Sequence, residues 1–96
     1  MGSRWEYAVL ALTCDPGVAT DKFYGHMKFP GDAKYRELGV IEDVLQKINS
    51  MGREGWELVG PPTYLNSVFT YQAGNGTWHD RAYPIETKYH FKRELG

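Results

Sequence analysis

The residues of this chain that could bind a metal ion or act as a nucleophile are few and scattered. Among its 96 residues are three histidines, His26, His79 and His90, and one cysteine, Cys14. They lie in four separate segments and lack the paired spacing of metal-binding motifs. No basic residue neighbours Cys14 in sequence, so we expect Cys14 to be a small buried hydrophobe rather than a nucleophile. The sequence predicts no metal site, no cofactor and no catalytic residue.

Two segments, residues 22–29 and 78–83, mix cationic side chains with planar rings. This mixture suits a ligand with an aromatic base and a phosphate, because rings stack on the base while Lys and Arg bind the anion. The competing interpretation is that the rings are satellite core residues beneath long loops and that the cations are solvated. The residues that we expect to contact such a ligand are Tyr24, His26, Lys28, Trp78, His79 and Arg81.

The balance of charges argues against several classes of partner. The formal net charge is −1, from 11 Lys and Arg against 12 Asp and Glu, so no overall positive field would attract nucleic acid or an anionic membrane. Only a local stripe of Lys88, Lys92 and Arg93 could provide a basic surface for nucleic acid. The longest apolar run, residues 8–12, is too short to cross a bilayer. A single cysteine allows no intrachain disulfide, and we expect a cytoplasmic protein.

The sequence predicts one small domain, residues 1–96, whose helices and strands must position these residues. A chain of this length buries only about 60–65% of the surface that its unfolded form exposes. Residues 5–14 place apolar side chains on both faces of a strand, which predicts a central strand covered on both sides. A single helix can cover only one side, so we expect a homo-oligomer that covers the other.

The rest of the chain predicts one main helix and several strands. An amphipathic helix is expected from Leu38 to Gly52, although Asp32 could instead cap a helix that begins at Ala33. The other predicted elements are a long loop over 15–36, a strand over 56–59, a hairpin over 63–83 that turns at Gly74-Asn75-Gly76, and a last strand over 86–93 after a break at Pro84. Together they predict an α+β fold of two layers, an antiparallel or mixed sheet of about four strands with one main helix packed on it.

Three short motifs resemble those of a family of short bacterial and phage proteins, a domain of unknown function. Its pattern is W-E-Y, a helix ending in G-x-x-G-W-E-L-V, a variable hairpin and a closing F-K-R. This chain carries Trp5-Glu6-Tyr7, Gly52-x-x-Gly55-Trp56-Glu57-Leu58-Val59 and Phe91-Lys92-Arg93. The resemblance covers about half of the chain and implies the fold, but it brings no activity. Residues 15–35 and 64–83 are longer than this pattern needs, so we expect any individual function to lie there.

These observations favour a non-enzymatic, homo-oligomeric binding module. Its ligand would be a small anion such as a cyclic nucleotide. Because the resembled family has phage members, one form of this function would be sequestration of a host signalling nucleotide. The alternative is a protein-interaction module that pairs with a host or assembly partner through a sheet edge and binds no small ligand. An enzyme using His79 and Asp80 is less favoured, because adjacent residues on a strand point to opposite faces.

Overall fold

A computed structural model of the chain describes residues 4–17 and 20–95. Its strands form one sheet in the order β3-β2-β1-β6-β4, with β5 paired to β6 beside β4, and every pairing is antiparallel. The elements are β1 (Arg4–Asp15), β2 (Lys22–Lys28), β3 (Arg36–Val40), α1 (Val44–Arg53), β4 (Glu57–Leu58), β5 (Thr63–Gln72) and β6 (Trp78–Leu95).

The predicted two-layer α+β fold with about four strands is wrong. Strands make up 60% of the described residues and helix only 11%, in one six-stranded sheet with a single ten-residue helix. The helix covers only part of one sheet face. The prediction failed because the glycine- and proline-rich segment over 15–36 was interpreted as a loop and Pro84 as a strand break, whereas β2 and Pro84 belong to the sheet.

The core lies between α1 and one face of the sheet. β1 buries Ala8, Leu10 and Leu12 on this face, since side chains two residues apart share a face. Met27 of β2 and Phe91 of β6 are their buried neighbours. Over the described residues, this chain supplies no second layer for the opposite face of β1, so coverage of that face by a second subunit stays a prediction.

The end of α1 explains the glycines of the central motif. The N–H of Gly55 donates to the carbonyl of Gly52 at 3.0 Å, and that of Trp56 donates to the carbonyl of Met51 at 3.1 Å. This Schellman arrangement needs a left-handed residue, which Gly55 supplies at φ +90°. Gly55 rather than Gly52 therefore ends the helix, and Trp56 turns into the core at 3% exposure.

The start of α1 is later than predicted, because the residues before it form an edge strand. Asp43 caps the helix by accepting from the N–H of Gln46 at 3.0 Å. Leu38 and Gly39 lie in β3, which ends at Val40, four residues before α1 begins at Val44.

The predicted loop over 15–36 contains β2. Gly25 looks like a turn residue in the sequence, yet it lies at the centre of this strand. A Cβ at Gly25 would lie only 2.6 Å from Cγ1 of Ile41, so the glycine allows Ile41 to pack over the sheet. The glycines and prolines on either side mark the ends of the strand.

The predicted break at Pro84 is also absent, because β6 runs without interruption for 18 residues. The pairing of β5 with β6 shifts at this point, leaving Ile85 as an extra residue of β6 between the pairs Leu65↔Glu86 and Asn66↔Pro84. Beyond this bulge, β1 no longer pairs with β6. The hairpin predicted over 63–83 thus corresponds to β5 and the first part of β6. We call residues 66–84 the arm and the rest of the sheet with α1 the body.

The candidate ligand-binding face

The sheet face opposite α1, which we call the open face, carries one of the two predicted groups of site residues. Tyr24, His26 and Lys28 alternate along β2 and therefore point to the same side. Lys88 and His90 of β6 share that side, because both strands pair with the same residues of β1. The register forms three rows across the strands, Lys28–Val9–His90, His26–Ala11–Lys88 and Tyr24–Thr13–Glu86.

These rows form a shallow trough with a floor of small side chains. Adjacent strands are about 4.8 Å apart, so the side chains of β2 and β6 stand about 10 Å apart on either side of β1. Ala11 is only 5% exposed because the longer side chains of His26 and Lys88 flank it. His26 Nε2 lies 3.3 Å from Oγ1 of Thr13, a hydrogen bond that holds the imidazole over the floor.

The two lysines of the trough, Lys28 and Lys88, are held loosely. Lys88 Nζ lies 3.5 Å from a carboxylate oxygen of Glu86, and both side chains are more than one-third exposed. Lys28 makes no salt bridge with any described residue, and its ammonium lies 5.7 Å from the ring centroid of Tyr35. Exposed ion pairs of this kind contribute little to stability, so these ammonium groups can exchange their partners for a ligand anion.

Arg81, a predicted cation of the site, is engaged in anchoring the arm. Its guanidinium donates to Asp21 at 2.7 Å and to the carbonyl of Gly17 at 2.9 Å. Hydrogen bonding to Arg81 lowers the pKa of Asp21, and the same bond raises the pKa of Arg81. The guanidinium also lies 5.6 Å from the ring centroid of Phe69. Arg81 is therefore committed to the loop between β1 and β2.

The other two predicted arm residues lie far from β2. His79 stacks on Tyr71 with centroids 5.6 Å apart, on the same side of the arm as Arg81. Trp78 points to the opposite side and is 67% exposed. Lys28 lies level with His90, nine residues beyond Arg81 along β6, which is about 30 Å of strand. The structure thus brings Tyr24, His26 and Lys28 to one face of β2, whereas Arg81 contacts Asp21 just before this strand and Trp78 and His79 lie further out on the arm.

Sequence reasoning omitted Lys88 and His90 from the candidate site. Their alternation with Tyr89 and Phe91 already indicated a polar side of the last strand. What the sequence did not provide was the strand order, which places β1 between β2 and β6. Only that order shows that the polar sides of the two outer strands face the same trough.

The motifs of the family resemblance meet at the far end of the body. Arg93 Nε donates to Glu6 at 2.7 Å, and its guanidinium lies 4.3 Å from the ring centroid of Trp56. On the open face Lys92 lies 4.3 Å from the ring centroid of Trp5, and its ammonium is 3.5 Å from Glu57. We call these residues the clamp. Their contacts join β1, β4 and β6, so the motifs have a structural role.

The described residues offer little for catalysis. Cys14 is buried, and burial raises the pKa of its thiol, which opposes formation of a nucleophilic thiolate. Asp80 accepts from the hydroxyl of Thr70 at 2.8 Å, on the side of the arm opposite His79. In residues 4–17 and 20–95 no three His, Cys, Asp or Glu residues are arranged to hold a metal ion.

A second concave surface lies beside α1. It is an open groove of about 500 Å³ between the end of β3 and the helix. Its lining includes two carboxylates, Glu42 and Asp43, and two cations, Lys47 and Arg53. Asp43 is already used as the helix cap. The groove has no aromatic residue in its lining, so it offers no stacking surface for a base.

Comparisons with known proteins identify no relative. The chain matches no protein-family model, no curated protein and no solved structure. The family resemblance therefore stays a prediction. Within the part of the chain that the structure describes, no helix has both the length and the apolar character needed to cross a membrane.

Proposed function

We propose that this chain is a non-enzymatic, homo-oligomeric module that binds a small anionic ligand with a planar ring, such as a cyclic nucleotide, on its open face. The observation that carries the proposal is the register of β2, β1 and β6. It aligns Tyr24, His26 and Lys28 with Lys88 and His90 across a floor of small side chains.

The trough has the parts that a nucleotide requires. Tyr24 and the imidazoles of His26 and His90 are planar groups on which a base can stack. Lys28 and Lys88 come from opposite sides and have long, flexible stems, so both ammonium groups can reach one phosphate. Binding is proposed rather than catalysis, because the described residues group no three His, Cys, Asp or Glu side chains for a metal ion and the pKa of the Cys14 thiol is raised. We extend the proposal to a cytoplasmic protein of phage or bacterial origin.

Binding can be tested by isothermal titration calorimetry with cyclic and linear nucleoside monophosphates and with inorganic phosphate. We expect Lys28→Ala and Lys88→Ala each to weaken binding of the tightest nucleotide by about tenfold or more, because each removes a charge-assisted hydrogen bond. Inorganic phosphate alone should bind more weakly, since it lacks the ring.

Two matched controls locate the site. His26→Ala should weaken nucleotide binding, whereas His79→Ala should leave it unchanged, because His79 lies on the arm. Lys47→Ala should also have no effect, because Lys47 lines the groove beside α1. If no nucleotide binds, or if Lys47→Ala weakens binding and Lys28→Ala does not, the proposed site is wrong. Absence of any small ligand would favour the alternative, a module that binds another protein.

A further inference from the structure

The sheet has one long edge that lacks the usual protection against pairing with another strand. Natural edge strands are kept short, charged, bulged or covered. β3 is protected in this way, since it carries Arg36 and Glu37 and has a bulge at Leu38. β4 is only two residues long. β5 has ten residues and no charged residue, proline or glycine, and among the described residues its only strand partner is β6.

The composition of β5 makes an uncovered edge hazardous. Thr63–Gln72 is rich in aromatic and β-branched residues, a composition that favours strand addition and aggregation when exposed. Its side chains are also exposed, with Tyr64 at 60%, Leu65 at 62% and Val68 at 61%. β5 thus presents unpaired backbone groups at its edge together with exposed apolar side chains on both of its faces.

The arm also lacks what a hairpin needs for stability. An isolated pair of strands is marginal in water, and three or more strands or a packed helix are needed. In residues 66–84 the arm has only two strands and extends away from the body, which gives the molecule a length of 65 Å. The radius of gyration is 16.8 Å, whereas a compact chain of this length would have about 12.5 Å. A strand added to the outer edge of β5 would give the arm the third strand that it lacks.

We infer that the outer edge of β5 pairs antiparallel with β5 of a second copy of this chain. A two-fold axis perpendicular to the sheet relates the copies and joins the arms into a four-stranded sheet. An uncharged strand can pair with itself without opposing like charges. The two-fold contact uses the same surface on both copies, so it closes as a dimer. This inference rests on the homo-oligomeric part of the proposed function and names the interface.

The symmetry predicts which residues meet. Paired residues of an antiparallel sheet lie on the same face, and the two-fold axis keeps each face on its own side. Residues of β5 with the same parity are therefore opposite one another. With the axis at the middle of the strand, Val68 lies opposite Val68 or Asn66 of the second copy. A charge at position 68 is consequently placed close to the same charge of its partner.

The test compares one substitution on the unprotected edge strand β5 with one on the protected edge strand β3. Val68→Lys places a charge on β5, and Val40→Lys places it on β3, where Val40 is also exposed, at 52%. Sedimentation equilibrium of the full chain should show a dimer. We expect Val68→Lys to raise the dimer dissociation constant by about tenfold or more, and Val40→Lys to leave it near the parent value. Circular dichroism and thermal melting check that both variants are folded.

A charge-complementation experiment guards against simple misfolding of one variant. Val68→Glu should weaken the dimer as Val68→Lys does, and mixing the two variants should restore a mixed dimer visible by native mass spectrometry. A parent chain that stays monomeric, a dimer insensitive to both charges at position 68, or a different protein on this edge would each overturn the inference. Nucleotide titration of the two Val68 variants separates the two proposals, because Val68 lies on the side of β5 opposite the open face. A nucleotide that still binds the Val68→Lys monomer supports the ligand site alone.

Discussion

The clamp in the body and the stacked rings of the arm, Phe69, Tyr71 and His79, are built from the same kinds of side chain in different settings. In the clamp, Arg93 lies over Trp56, which is 3% exposed and packs on Phe29 with centroids 6.1 Å apart. On the arm, Arg81 lies over Phe69, which stacks on Tyr71 at 5.7 Å. The opposite side of the arm is solvent-exposed. Cation and ring contacts alone thus do not make a core, and the arm depends on something outside its own two strands.

The difference also separates structural motifs from functional candidates. The clamp uses the most recognisable motifs of the sequence, and each of its charged groups is already paired within the chain. The open face carries lysine ammonium groups, and the β5 edge carries backbone N–H and C=O groups, whose hydrogen-bonding capacity is only partly used within the described chain. We therefore assign stability to the clamp, and binding to the trough and to the edge.

Replacing one tryptophan in each region should give the largest contrast. Trp56→Ala removes a buried ring from the core, and we expect it to cost about 3–5 kcal/mol of unfolding free energy. Trp78→Ala removes an exposed ring of the arm and should cost less than about 0.5 kcal/mol. Urea and thermal denaturation of both variants measure the difference. Similar melting temperatures for Trp56→Ala and the parent would contradict the assignment of the core.

Replacing one arginine in each region sharpens the comparison. Arg93→Met keeps the aliphatic stem but removes the bonds to Glu6 and the contact with Trp56, and we expect it to cost about 1–2 kcal/mol. Arg81→Met should hardly change global unfolding, but it should speed amide hydrogen exchange in residues 66–72 and 78–83 by releasing the arm. Equal effects on global stability would show that the arm and the body unfold as one unit.

The sequence predicted local features better than the overall arrangement. The helical spacing of Val44, Ile48 and Met51 identified α1, because an amphipathic period is visible without any tertiary information. The limits of the elements were less visible. Gly25 and Pro84 look like strand breaks in the sequence. The packing of Ile41 over the sheet requires Gly25, and a bulge in the pairing with β5 accommodates Pro84.

The candidate site was only partly predictable for the same reason. Alternation along β2 places Tyr24, His26 and Lys28 on one side once the segment is known to be a strand. The distance between these residues and Arg81 depends on the strand order and on the length of β6, which no local pattern contains. The segments 22–29 and 78–83, which have similar compositions, thus have different roles: the first lines the trough and the second anchors the arm.

The pH dependence of the arm anchor is the smallest effect and separates the two regions most selectively. Because Arg81 lowers the folded-state pKa of Asp21, this carboxylate has a lower pKa in the folded chain than in the unfolded chain, where it is about 3.9. The contribution of the pair is fully present above that value and is lost as the pH falls through the folded-state pKa. Hydrogen exchange in the arm, corrected for intrinsic rates, should therefore accelerate in the parent at acidic pH.

Substitution by asparagine provides the matched test of this anchor. Asp21→Asn should give fast exchange in the arm throughout the pH range, and it should remove the acid-dependent step. Asp32 is the control in the body, since hydrogen bonding to Arg36 also lowers its pKa. Asp32→Asn should affect the neighbourhood of β2 and β3 and leave the arm unchanged. If the arm of Asp21→Asn keeps the acid-dependent step of the parent, the arm is anchored by groups other than this ion pair.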